Sequence, residues 1–217
     1  MFKYFSKNFG YTDVFTTGFT FPKRVCVLAP GPNGIPYYEK IPEDLYVIAV
    51  SKAIMIKQVE INCWMMQGNN HSHYLQSEQR FEGVRMFRKD FIDSRQALSS
   101  SDSFERYSFQ VKRPSPSQVI DFSSLAISQN KLIGGSTISG NAVQLAHLCG
   151  AREILLCGVD MSGDHYFDGS HNVCLTHGET WTFTPTFNRL IHWLHQNTDT
   201  TVSSLSPTKL TVPRFAH

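Results

Sequence analysis

GGSTISGNAVQLAHLCGAREILLCGVD, residues 134–160, is the stretch that most reduces the number of folds the chain could adopt. Its central part carries apolar residues at helical spacing, and Gly150 is a typical residue for ending a helix. The run EILLCGV that follows is typical of a buried strand. The stretch therefore predicts a loop, a helix, a strand and a second loop. The apolar residues of the helix are Ala142, Val143, Leu145, Ala146 and Leu148.

Apolar runs elsewhere in the chain predict further strands at residues 25–30 (VCVLAP), 46–50, 61–66 (INCWMM) and 200–207 (TTVSSLSP). A second helix is predicted over residues 184–196, with Thr184 as its cap and Pro185 at its first position. Because the three early strands follow one another at short intervals and are apolar throughout, we expect them to pair in a parallel sheet.

The alternation of strands and helices predicts an α/β fold. We expect a single doubly wound, mostly parallel Rossmann-like sheet with helices on both faces, in one domain over residues 1–217. Such sheets bind ligands beyond the carboxyl ends of their strands. The loops at 30–36, 66–73 and 160–177 each follow a predicted strand, so we expect them to meet at one rim. The serine-rich segment 95–118 is expected to be a lid or a flexible loop.

The composition excludes several classes of protein. With 217 residues, 41% hydrophobic and 18% charged, the chain can bury a large core and is not globally disordered. A net charge of +2 is too small to attract nucleic acid over long distances, so the charge does not indicate nucleic-acid binding. No apolar run approaches the roughly 20 residues that span a bilayer, and no signal peptide is evident, so we expect a cytoplasmic protein. The five cysteines lack CxxC spacing, which argues against a disulfide framework.

The turn before the first helix is a candidate anion-binding site. Glycines let backbone amides approach an anion, and hydroxyl side chains both cap a helix and donate to phosphate oxygens. Plain capping would use the same residues, and that interpretation stays open. The candidate residues are Gly135, Ser136, Thr137, Ser139 and Gly140.

The first loop, APGPNG, matches neither the Walker pattern nor GxGxxG. Gly31, Pro32 and Asn33 are candidates for nucleotide contact, although a tight turn without a ligand would look the same. Asp160 ends a strand, where its carboxylate would bind a ribose hydroxyl, a metal ion or the amide of the next turn. The phenol of Tyr166 is a candidate donor to a phosphate, with simple packing as the alternative.

Histidines are concentrated in the loop after the strand at 153–159. A general base is the most economical function for one of them, because an unperturbed pKa near 6.5 suits proton abstraction at neutral pH. His177 and His171 are the candidates. A zinc site is disfavoured because no pair of histidines has the close spacing of familiar sites, and we predict no metal ligand.

The segment 134–169 resembles the bacterial CMP-sialic-acid sialyltransferases of glycosyltransferase family 42. The shared features are a glycine-serine turn, a helix, a GxxEIxLxGxD strand, a tyrosine-bearing loop and a later histidine. VCVLAPGPNGI and IPEDLYVIAVSKA also resemble the opening strands of that family. Two positions that contact the nucleotide sugar in the family differ, since Pro30 and Ser51 stand here where the family has asparagine.

The resemblance implies a glycosyltransferase that moves a sugar from a CMP-sugar donor to a glycan acceptor by metal-independent, inverting displacement. The phosphate would lie near Ser136, Thr137, Ser139 and Gly140. Tyr166 would stabilise the leaving phosphate, and His177, or His171, would be the general base. Ser51 would lie beside the donor. No cofactor is then expected; peripheral contact with the inner membrane and a homo-oligomer remain open.

A second family shares the motif, namely the 6-hydroxymethyl-dihydropterin diphosphokinases, which use ATP with magnesium. Those enzymes would carry acidic ligands after the third strand, where this chain has WMMQGNNHSH. The sugar transferase therefore ranks first. A non-catalytic nucleotide-binding module is the third hypothesis.

Overall fold

The computed structural model describes residues 12–67, 81–89, 106–112, 120–123, 125, 131–134, 137–161, 165–170 and 180–215, with backbone alone at 106 and 180–182. Eight parallel strands form the central sheet: β1 (Thr12–Asp13), β2 (Arg24–Leu28), β3 (Tyr46–Val50), β4 (Cys63–Met66), β5 (Val84–Arg88), β6 (Arg106–Phe109), β9 (Glu153–Cys157) and β10 (Thr201–Ser204). Their order in the sheet is β1-β6-β5-β4-β3-β2-β9-β10. β7 (Val111–Lys112) and β8 (Leu132–Ile133) form a separate parallel pair.

The central strands are apolar on both faces, as in parallel sheets that are covered on both sides. β2 pairs with β3 on one side and with β9 on the other, in a register that aligns Cys26 with Val47 and with Leu155. Side chains from Val25 to Leu28 are fully buried. The α/β fold with a parallel sheet, expected from the sequence, is confirmed.

Two α-helices follow the sequence pattern. α1 (Ile138–Leu148) is capped by Thr137, whose Oγ1 accepts a hydrogen bond from the Gly140 amide at 3.4 Å. Gly150 follows α1 with φ +103°, a left-handed conformation that glycine adopts without strain. α2 (Thr180–Asn197) begins earlier than the predicted start at Pro185, and that proline lies inside the helix.

The two faces of the sheet carry different layers in the described residues. α1 and α2 pack on one face, against alternate strand residues such as Val27 and Leu156. The 3₁₀ helices Pro32–Lys40 and Ser51–Met55 pack on the other face, against Leu28 and Cys157. Parallel crossovers are almost always right-handed, so connections that progress in opposite directions along a sheet cover opposite faces.

The direction of the chain along the sheet reverses between β2 and β9. From β2 the chain steps outward to β3 and β4, whereas β9 leads to β10 on the other side. A reversal of this kind opens a crevice at the carboxyl ends of the two adjacent strands. The loops after β2 and β9 therefore meet at the switch point of the sheet.

Residues 106–112 lie within the segment expected to be a lid or a flexible loop, yet they contribute β6 and β7. Residues 95–105 and 113–118 lie outside the described residues. None of the helices in the described ranges combines the length and apolar character needed to cross a bilayer.

Candidate functional site

A buried carboxylate lies at the switch point. Asp160 follows β9 and is 5% exposed. Its Oδ2 accepts a hydrogen bond from the backbone amide of Asn33 at 2.8 Å. Its Oδ1 is buried and has no hydrogen-bond partner among the described residues. Burial raises the pKa of Asp160 to about 6, although the Asn33 amide acts in the opposite direction. A buried acceptor without a partner is costly, and it is a reason to expect a ligand or water there.

The loop after β2 approaches this carboxylate so closely that it excludes a side chain at Gly31. A Cβ at that position would lie 2.5 Å from Cγ of Asp160 and 2.3 Å from the carbonyl oxygen of Gly158. The Gly31 amide donates to that same carbonyl at 2.9 Å. Gly158 itself has φ +70°, and a Cβ on it would lie 2.2 Å from the carbonyl oxygen of Ala29. Glycine at both positions lets the two loops pack backbone against backbone.

The loop after β10 completes this side of the rim. The Lys209 amide donates to the carbonyl of Asp160 at 3.0 Å. The side chain of Asn33 donates to the carbonyl of Pro207 at 3.4 Å, which uses its Nδ2 within the protein. Pro32 begins the 3₁₀ helix at Pro32–Lys40. Gly31 and the Asn33 backbone thus frame Asp160, whereas Pro32 supplies a helix start.

A second cluster joins the end of β3 to residues 165–170. Lys52 is 9% exposed, forms an ion pair with Asp168 and donates to Oγ of Ser170. Its Nζ lies 5.4 Å from the centre of the Tyr166 ring, within the range of a cation–π contact. Burial raises the pKa of Asp168, but the hydrogen bonds from Lys52 and Ser170 outweigh that effect, so the pKa lies below its ordinary value.

Backbone strain is found at both of these strand ends. Ser51 has φ +53° and Met161 has φ +56°, which are left-handed conformations that residues other than glycine rarely adopt. The indole of Trp64 donates to the carbonyl of Ser51 at 2.9 Å, and this bond helps hold the conformation. Strained residues of this kind are concentrated at functional sites. Here they directly precede Lys52 and follow Asp160.

The segment that carries Tyr166 also contacts the first loop. The Phe167 amide donates to the carbonyl of Pro30 at 2.8 Å. Tyr166 is therefore at the same edge of the sheet as Gly31 and Asp160. Lys52 was missed in the sequence because a single lysine after an apolar strand usually points to solvent. Its partners lie more than a hundred residues away, where no local pattern reveals them.

The amino terminus of α1 lies at this edge as well. The other end of the helix is fixed at the opposite edge, where the Phe21 amide donates to the carbonyl of Cys149 at 2.7 Å. Ser139 and Gly140 are buried in the first turn. Thr137 caps α1, which is one of the two functions predicted for it; contact with a phosphate is the other. Gly135, Ser136, His171 and His177 lie outside the described residues, so their predicted functions stay predictions.

No group of three or more His, Cys, Asp or Glu side chains in the described ranges is arranged to hold a metal ion. The four cysteines in those ranges, Cys26, Cys63, Cys149 and Cys157, are free and buried. Burial raises the pKa of each thiol, which keeps it protonated and unreactive.

No protein-family model matches the chain, and no curated protein matches it significantly. Among solved structures, the chain is similar to the sialyltransferase CstII from Campylobacter jejuni, solved in complex with a substrate analogue, CMP-3FNeuAc. The match covers 85% of this chain and 82% of that chain, with a TM-score of 0.48 and 13% sequence identity. A likeness of this size does not extend to the roles of residues, which rest on the geometry of this chain alone.

Proposed function

We propose that the protein is a glycosyltransferase of sialyltransferase type, which transfers a sugar from a CMP-sugar donor to the hydroxyl group of a glycan acceptor. The observation that carries the proposal is the buried Asp160 carboxylate, with its uncommitted Oδ1, at the switch point of the sheet. The resemblance of segment 134–169 to family 42 supports the choice of a CMP-sugar.

In this proposal, Oδ1 of Asp160 accepts a hydrogen bond from a ribose hydroxyl. A carboxylate accepts such a bond more strongly than a neutral group does, and burial excludes competing water. Gly31 lets the loop after β2 pack directly against Asp160, which fixes the carboxylate at the rim of the sheet. The phosphate then lies at the first turn of α1, beside Thr137, Ser139 and Gly140 and the preceding Gly135 and Ser136, where amide groups favour an anion.

The proposed reaction is an inverting displacement at the anomeric carbon. The bond from that carbon to the CMP phosphate breaks as the acceptor oxygen forms a new one, and CMP leaves with the electron pair. The Tyr166 phenol donates to the leaving phosphate, and the Lys52 ammonium near its ring favours negative charge there. His177, or His171, takes the proton from the acceptor hydroxyl. No metal is required, because protein groups stabilise the developing charge.

Calorimetric titration with CMP in the presence of EDTA tests the nucleotide site. Asp160→Asn tests the role of the carboxylate. The side-chain oxygen of the new asparagine still accepts from the Asn33 amide, and its NH₂ group replaces Oδ1, so that a donor stands where the ribose hydroxyl needs an acceptor. We expect CMP affinity to fall roughly 10- to 100-fold, the value of a hydrogen bond to a charged group. Asp199→Asn, on an exposed residue beyond the end of α2, is the matched control.

The chemical step is tested by measuring sugar transfer from CMP-sialic acid with His177→Asn and His171→Asn separately. One of the two should abolish turnover while CMP affinity stays within a few-fold of wild type. Binding of ATP with magnesium, and not of CMP, would instead favour the diphosphokinase. CMP binding with turnover unaffected by either histidine would contradict the proposed base.

A further inference from the structure

A chain of buried amide groups connects β8, α1 and the end of β4. Gln144 pairs with the backbone of Ile133 through two hydrogen bonds of 2.8 Å, one accepted by its Oε1 and one donated by its Nε2. Nε2 also donates to Oδ1 of Asn141 at 3.3 Å. Nδ2 of Asn141 then donates to Oε1 of Gln67, the residue that follows β4. Asn141 and Gln144 are completely buried.

We call this chain of amide groups, Gln144, Asn141 and Gln67, the relay. The backbone of Ile133 determines which atom of each amide is the donor and which is the acceptor. The N–H and C=O groups of Ile133 cannot exchange, so Gln144 has a single orientation. Its nitrogen faces Asn141, which must present oxygen in return, and Asn141 therefore turns its nitrogen toward Gln67. A flipped Gln67 amide would bring two donors together. Gln67 is held with its oxygen on Asn141, and among the described residues no acceptor is bound to its Nε2.

Gln67 lies at the carboxyl edge that forms the candidate site. It directly follows β4, and β3 and β2 lie between β4 and β9 in the sheet. Three strand spacings of about 4.8 Å separate it from Asp160 by about 14 Å. Asn141 lies in the first turn of α1, where the phosphate of the donor is proposed to bind. With the ribose on Asp160 and the phosphate at α1, Gln67 lies toward the sugar.

We propose that Gln67 is a specificity-determining residue whose Nε2 donates a hydrogen bond to an acceptor oxygen on the phosphate–sugar half of the donor. The inference rests on the proposed function, because the ligand is the CMP-sugar proposed above. The relay prevents the amide from turning to accommodate a donor group. The site therefore selects an oxygen at this position and disfavours a hydrogen-bond donor such as an ammonium group.

Gln67→Glu tests the inference with little change in shape. The Oε1 of the new glutamate still accepts from Asn141. The Nε2 donor, which has no acceptor among the described residues, is replaced by an oxygen that accepts. We expect affinity for CMP-sialic acid to fall by about tenfold or more, because the ligand oxygen then faces another oxygen. Gln196→Glu, on an exposed residue near the end of α2, introduces the same charge at the opposite edge and should stay within about twofold of wild type.

Three readouts separate the outcomes. Equal weakening of CMP and CMP-sialic acid identifies a phosphate oxygen as the acceptor, whereas weakening of CMP-sialic acid alone identifies a sugar oxygen. In wild-type protein, the side-chain amide protons of Gln67, assigned by their absence from the Gln67→Glu spectrum, should shift downfield when CMP-sialic acid binds. Thermal midpoints should agree between the variants, so that a loss of binding is not a loss of fold.

The inference would be overturned if the wild-type protein bound CMP-sialic acid, Gln67→Glu bound it with the same affinity, and the amide protons of Gln67 did not shift. The proposed function would then still stand. If the wild-type protein bound neither CMP nor CMP-sialic acid, the proposed function would fail, and the ligand assigned to Gln67 would fail with it.

Discussion

At the scale of single residues, Asp160 is the position where stability and the proposed function oppose each other. Its carboxylate is buried, keeps one oxygen without a partner among the described residues, and has a pKa raised to about 6. In the unfolded chain the same group ionises near pH 4. Between these two pH values the native state holds a proton that the unfolded state has released. The ionised Asp160 therefore destabilises the fold above pH 6.

Asp160→Asn should therefore stabilise the ligand-free protein at pH 7. A pKa raised from 3.8 to about 6 corresponds to an upper limit of roughly 3 kcal/mol, at about 1.4 kcal/mol per unit of pKa. The gain should disappear as the pH falls from 6 to 4, because the wild-type side chain then becomes neutral. Urea unfolding of both proteins at pH 4, 5, 6 and 7 measures it, with Asp199→Asn as the control. Equal stability at pH 7 would contradict the raised pKa.

At the scale of elements, Lys52 attaches residues 165–170 to the 3₁₀ helix Ser51–Met55. The ion pair with Asp168 and the bond to Ser170 connect two segments that are distant in sequence. Lys52 is largely buried, with a side-chain exposure of 11%, whereas the side chain of Asp168 is 32% exposed, so solvent screens the pair less than a pair with two exposed members. Tyr166 is held in that segment, and its position in the site depends on this anchor.

A double-mutant cycle on Lys52→Met and Asp168→Asn should give a coupling energy of about 1 kcal/mol at pH 7, at the upper end of the values usual for exposed pairs because one partner is buried. Since the pKa of Asp168 is lowered in the native state, the coupling is present above pH 4 and is lost as the pH falls below the native pKa. Lys40→Met is a matched control, because Lys40 lies 5.0 Å over the Tyr37 ring but is exposed. Additive effects of the two substitutions would show that the pair does not anchor the segment.

At the scale of the whole molecule, the parallel sheet places every loop that follows a strand at one edge. The carboxyl edge collects Gly31, Ser51, Gln67 and Asp160, whereas the amino edge carries structural contacts such as those of Arg24 with Glu153 and Asp44. The candidate functional residues and these structural contacts thus lie at opposite edges of one sheet. The order of the strands decides which loops are neighbours along the rim.

Hydrogen exchange should report this division. We expect the slowest exchange in β2, β3 and β9, which lie in the middle of the sheet and are buried on both faces. Addition of CMP should slow exchange in residues 29–33, 158–161 and 165–170, and leave residues 197–200 at the amino edge unchanged. Protection that appeared at the amino edge instead would move the binding site away from the switch point.

The sequence predicted well wherever the physical cause is local. Ile154 to Cys157 and Val25 to Leu28 are apolar runs of strand length, and they form strands. Thr137 and Gly150 bound α1 because capping and left-handed φ depend on neighbouring residues alone. Residues 106–109 were expected in a lid because their polar side chains do not give the apolar pattern of a strand. They form a strand nevertheless, because its backbone pairs with β1 and β5.

By itself, then, the sequence determined a parallel α/β sheet, its central strands, the helix at 138–148 and the candidates Gly31 and Asp160, because burial and local geometry leave periodic patterns in a chain. The tertiary structure alone decided that β9 inserts beside β2, that Asp160 accepts from an amide 127 residues away, and that Lys52 and Gln67 belong to the rim. The physical reason is that pairings between polar groups depend on strand order and crossover direction, and these follow from contacts distant in sequence.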